Sequence, residues 1–126
     1  MLEIEATSST PHIGYDEGTH TLYISGESYP ENSFEFYAPV FEWLTKTLES
    51  VPLFRLSLKV SYMNSSSTKC VLDILDLLCE ASERGCDARV LWLYDAENER
   101  ALDLAEEFKE DIDIPFEIVP VRGAAQ

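Results

Sequence analysis

The chain has 126 residues, 45% of them hydrophobic and 11% aromatic, and a formal charge of −15 from 24 acidic against nine basic side chains. That is the size of a single domain that buries its own core without staples, and no apolar run is long enough to span a bilayer. The charge excludes nucleic acid and anionic membranes as expected partners, because both carry the same sign.

Leu2, Ile4 and Ala6 alternate with Glu3 and Glu5, the period of a short half-buried strand. The same acidic start lacks the basic and apolar regions of a secretory signal, so the expected location is the cytoplasm. "HIGYDEGTHTLYISG" reads as two strands joined at Asp16, Glu17 and Gly18. Phe36, Val40, Trp43, Leu44 and Leu48 then recur at helical spacing. Pro39 lies inside that pattern, which predicts a kink or an irregular first turn.

From Phe54 to Tyr62 apolar residues alternate with Arg55, Ser57, Lys59 and Ser61, a strand with one buried and one wet face. A helix is expected from about Thr68 to Arg84, stopped by Gly85. Ala88 to Tyr94 is more continuously apolar than the preceding strand and predicts an interior strand. Glu97 to Lys109 reads as a third helix with Ala101, Leu102, Leu104, Ala105 and Phe108 on one face. Pro115 and Pro120 mark "IPFEIVPV" as an edge strand. Strands alternating with helices imply right-handed crossovers, hence an α/β fold: one domain over residues 1–126, its mixed sheet covered mainly on one face by about three helices.

Cys70, Cys79 and Cys86 have no CxxC spacing, which favours reduced thiols over zinc or redox chemistry. No motif for a metal or cofactor stands out.

Between the strand ending at Asn64 and the next helix stand Ser65, Ser66, Ser67 and Thr68. One hydroxyl suffices as an N-cap, and a polar loop absorbs the others without further role. A nucleophile elbow needs flanking glycines and a histidine base, yet the run has no glycine, and His12 and His20 both fall in the N-terminal hairpin. A phosphate-binding loop fails for the same lack of glycine. Asp95, ending "VLWLYD", is a candidate acid for a small Ser- or Asp-nucleophile hydrolase, the alternative of another class, although a strand-end aspartate ordinarily caps the next helix. A phosphorylation site fits better, because a helix start accommodates an anion while the added charge alters docking.

On the helix that follows, Cys70, Val71, Ile74, Leu77, Leu78 and Ala81 form the core stripe, and Asp73, Asp76 and Glu80 the wet one. Leu72, Leu75 and Cys79 belong to neither. They are covered by a neighbouring helix or form a docking surface beside the hydroxyls.

With "STPHIGYD", "LYISGESYPENSFEFYAPVFEWL", "YMNSSSTKCVLDILDLLCEA" and "LYDAENERALDLAEEFKEDIDIPFEI", the chain resembles the SiaC-type regulatory phosphoproteins, which are STAS-like and related to anti-sigma-factor antagonists. The resemblance implies a non-enzymatic partner switch. A protein kinase modifies it, a PP2C-type phosphatase resets it, and the unphosphorylated form binds a target, a diguanylate cyclase in cyclic-di-GMP and biofilm signalling. The alternative within the same class is an anti-sigma-factor antagonist. The phosphoacceptor implied is Ser65, with Ser66, Ser67 and Thr68 as alternatives. Asn64, Ser66, Ser67, Thr68, Lys69, Leu72, Leu75 and Cys79 are the expected partner-binding residues.

Overall fold

Alternation organises the longest strand, β4 (Leu53–Met63): Phe54, Leu56, Leu58 and Val60 are buried, while Arg55 is partly and Lys59 fully exposed. The computed structural model, which describes residues 2–121, places β4 inside a six-stranded sheet of order β1-β2-β3-β4-β5-β6. The other strands are β1 (Glu3–Ile4), β2 (His12–Asp16), β3 (Thr21–Ser28), β5 (Asp87–Asp95) and β6 (Phe116–Val121). The first three pair antiparallel and β3 to β6 pair parallel, as hairpin and crossover connections require.

Three helices, α1 (Ser33–Thr47), α2 (Ser65–Glu83) and α3 (Glu99–Glu110), make the three parallel crossovers. Because strand order follows chain order, right-handed crossovers put all three on one face of the sheet. Burial agrees: Leu22, Ile24, Leu56, Leu58, Val90 and Trp92 face the helices at 0–3% exposure, whereas Tyr23 on the opposite face is 43% exposed. β5 is interior and β6, with Pro120, lies at the edge, as expected.

Several boundaries differ from the sequence expectation. Helix α1 runs through Pro39 without interruption, its first turn capped by Asn32, whose side chain accepts from the Glu35 amide. Helix α2 begins at Ser65 rather than Thr68, because Asn64, not a hydroxyl, is the N-cap. It ends as predicted, with Gly85 in the left-handed region at φ 103°. Helix α3 starts two residues late because its cap is Asn98. Asp95 instead folds the preceding turn by accepting from the Glu97 amide at 2.9 Å.

Leu75 is not a surface residue: it is fully buried in the core. Helices α1 and α2 pack against each other and close over it. Leu72 and Cys79 are half-buried against the same core, and Leu77, expected inside, is half-buried too. Cys70, Cys79 and Cys86 are free thiols, and burial pushes Cys70 and Cys86 above the ordinary thiol range. Among the described residues no helix is long and apolar enough to cross a membrane.

Truncating Leu75 to alanine should therefore cost about 2–5 kcal/mol, measured by urea unfolding, because the site cannot collapse between two helices and a sheet. Leu72→Ala should cost clearly less.

Candidate functional site

The N-termini of α1 and α2 meet at the carboxyl end of β3 and β4, joined by a chain of hydroxyls. Ser28, ending β3, lies 2.7 Å from the Tyr37 hydroxyl and donates to Ser67 Oγ at 2.8 Å. Ser67 Oγ is 3.1 Å from Ser33 Oγ, which is 2.7 Å from Ser66 Oγ. Ser66 donates to Asn64 Oδ1 at 3.3 Å, and the same oxygen accepts the Ser67 amide at 2.9 Å. One assignment of protons satisfies every member: Tyr37 donates to Ser28, Ser28 to Ser67, Ser67 to Ser33, Ser33 to Ser66, and Ser66 to Asn64. Burial drives the Tyr37 phenol up to about 12, against the lowering effect of its Ser28 bond.

This arrangement sorts the four hydroxyls. Ser67 is completely buried, so it is neither a reachable phosphoacceptor nor a docking residue. Ser66 is half-buried and bonded to Ser33 and Asn64. Thr68 is half-buried, and its hydroxyl donates back to the Asn64 carbonyl at 3.0 Å. Ser65, at the first helical position, is exposed, and its hydroxyl makes no hydrogen bond among the described residues. A kinase can engage it without breaking any packing.

Lys69 projects one turn beyond Ser65, exposed and 3.9 Å from Asp73. Beside it a groove of about 280 Å³ runs between β4, α2 and α3, lined by Tyr62, Thr68, Asn98, Arg100 and Leu104 among others. Among the described residues, three of the four exposed large hydrophobic side chains lie at this end: Tyr29 is 40%, Phe34 51% and Tyr62 51% exposed. Tyr29 and Tyr62 stack edge to face at 5.8 Å, and Phe34 follows Ser33 at the start of α1.

Sequence reasoning missed these aromatics and looked for the apolar surface on α2. Tyr62 continues the buried alternation of β4 in the sequence and is nonetheless exposed, because the β3–β4 register shifts between Gly26 and Glu27, which the sequence does not signal. Neither histidine serves the hydroxyls: His12 Nε2 is 2.6 Å from Glu3 Oε2, and His20 Nδ1 is 3.1 Å from the Tyr15 hydroxyl.

Two outcomes follow from the hydroxyl chain. In chemical denaturation Ser67→Ala should lose about 1–3 kcal/mol, since it strands buried partners, whereas Ser65→Ala should stay within about 0.5 kcal/mol of wild type. Because the folded Tyr37 keeps its proton to about pH 12 while the unfolded phenol loses it near 10, its contribution should persist below pH 10 and decline between 10 and 12. Tyr37→Phe should flatten that part of the stability profile relative to wild type.

Comparison with known proteins agrees with this geometry. The profile described as SiaC family regulatory phosphoprotein matches residues 4–121. An uncharacterized protein of Pseudomonas aeruginosa strain UCBPP-PA14 is 44% identical over 118 residues, covering 93% of this chain and 94% of its own. Apo-SiaC from Pseudomonas aeruginosa superposes with a TM-score of 0.87 at 41% identity, over 94% of this chain and 97% of that one. A chain of the crystal structure of the diguanylate cyclase SiaD in complex with its activator SiaC, from the same species, reaches a TM-score of 0.91. It is 43% identical over 96% of this chain and 100% of that one. The chain described here, with a helix start that leaves one hydroxyl free, belongs to the SiaC family of regulatory phosphoproteins.

Proposed function

We propose that this protein is a cytoplasmic binding switch without enzymatic chemistry of its own, whose unphosphorylated form docks on and activates a diguanylate cyclase. Support for the target comes from its likeness to the SiaC that activates SiaD. A protein kinase adds phosphate to Ser65 and a PP2C-type phosphatase removes it.

The observation that carries the proposal is the isolation of Ser65: exposed, unbonded, and at the first position of α2. Phosphate there adds about −1.5 to −2 charge. The fold tolerates it, since the helix start presents free amides and the positive end of its dipole, and Lys69 stands one turn away. A docked partner does not tolerate it. The docking surface in this reading takes in exposed Phe34 and Tyr62 at the two element ends beside Ser65, with Asn64, Ser66, Thr68 and Lys69, and extends along α2 through half-buried Leu72 to Cys79, roughly 21 Å from Ser65. An apolar contact made there has no means to solvate a buried dianion.

Incubation with the cognate kinase and ATP should place a single phosphate on Ser65 by mass spectrometry, and Ser65→Ala should abolish it while still capturing the cyclase. The phosphorylated protein should bind at least about tenfold more weakly, the equivalent of 1.4 kcal/mol. Tyr62→Ala should weaken binding by a similar factor without changing the fold. Equal capture of the cyclase by phosphorylated and unphosphorylated protein would rule the switch out.

A further inference from the structure

At the opposite end of the sheet from Ser65, largely on the face without helices but reaching Lys109 at the end of α3, the parallel strands open into a groove of about 740 Å³. Eight residues of β4 separate Arg55 in this groove from Met63 before the hydroxyl run, roughly 26 Å at strand rise. The groove's floor is the cross-strand row Tyr23, Ser57, Leu91 and Glu117, with Ile118 further along its rim. Arg55, Arg89 and Lys109 reach into it, three of the chain's nine basic residues.

Folding alone does not account for what these residues do. Arg55 and Arg89 are direct partners in the β4–β5 register, and like charges placed opposite each other weaken a sheet. Asp87 offsets this by holding both: its Oδ2 is 3.5 Å from Arg55 Nη2 and its Oδ1 accepts from Arg89 Nε at 3.1 Å. The Arg89 hydrogen bond, first, and the nearby Arg55 hold the Asp87 carboxyl below the usual range. Arg89 is left with both terminal amino groups unpaired among the described residues. Ser57, only 9% exposed, also has no hydrogen-bond partner there for its hydroxyl. An unbonded hydroxyl opening into a groove, near a guanidinium with two free donor nitrogens, offers an anion several donors at once.

We propose that this groove binds a small organic anion: a phosphate or carboxylate carried on a flat apolar ring. The anion accepts from the Arg89 amino groups and Ser57 Oγ, and the ring lies across Tyr23 and Leu91. The volume suits a molecule of nucleotide size. The field of a chain at −15 and the Glu117 carboxylate in the groove itself both work against an anion, so a bare ion gains too little and the ring is needed for affinity.

The site stands independently of the Ser65 switch. Its test is amide NMR of the full-length chain titrated to about 10 mM with adenosine 5′-monophosphate, adenosine or inorganic phosphate, a range suited to weak binding. The monophosphate should give saturable shifts around Tyr23, Ser57, Arg89 and Leu91 while Ser65 to Lys69 stay still. Adenosine and phosphate alone should each bind at least about tenfold more weakly, and Arg89→Ala, a change at an exposed side chain, should weaken the monophosphate by about the same factor. Ser57→Ala should give a smaller loss with the fold intact. Shifts that fail to saturate, that persist unchanged in Arg89→Ala, that centre on α2, or that phosphate alone reproduces at equal affinity would overturn the proposal.

Discussion

The N-cap of α2 decides how the rest of the site works. Asn64 Oδ1 takes the Ser67 amide at 2.9 Å, which is the function a run of four hydroxyls would otherwise serve. With the cap supplied, the hydroxyls are released for other uses. Ser67 turns inward and ties α2 to β3 and α1 through Ser28 and Ser33, Ser66 reaches Ser33, and Thr68 bonds its own helix. Only Ser65 has nothing to hold. A hydrophilic cluster therefore divides into a buried clamp and one free hydroxyl on a rigid support.

Under the proposed switch, that clamp lets modification of Ser65 act locally. The two helix starts are joined by bonds between fully or half-buried groups, where each satisfied hydroxyl is costly to lose. A dianion added at Ser65 meets a base that does not move with it. Its effect falls on whatever approaches Phe34 and Tyr62, because those rings are already in water and held beside it. Rigidity below and exposed apolar area above convert one charge change into a change of partner.

Much of the architecture was legible because its signals are local. Alternation from Phe54 to Tyr62 and the apolar run at Val90 to Trp92 each identify a strand, and a chain-ordered α/β alternation leaves few topologies. The errors came where tertiary neighbours decide. Asn64 and Asn98 cap helices although nearby hydroxyl and acidic residues compete for the role, and single-sequence patterns do not rank such competitors. Leu75 looked spare on a helical wheel because the wheel has no α1 in it. For the same reason Ser67 could not be distinguished from Ser65: identical residues two positions apart lie on opposite sides of a helix whose register depended on the cap. Phe34 was read as ordinary helix content, since nothing local says that the first turn of α1 overhangs the start of α2.

The distribution of charge gives the sheet two separate ends. Acidic residues dominate the helices, and two of the strand cations, Arg55 and Arg89, stand side by side at the start of β4 and β5. Placing them near Ser65 would have created a ready acceptor for its phosphate and pulled the modified helix start toward the sheet. Keeping Arg55 and Arg89 roughly 26 Å away, along a strand of fixed rise, leaves exposed Lys69 on α2, with Arg100 across the adjoining groove, as the cations at the Ser65 end. A single exposed lysine neutralises little of a dianion in water. Under the proposed switch, a phosphate on Ser65 stays a repulsive feature of the surface and does not become an internal salt bridge, which is what a switch acting on partners rather than on its own fold requires.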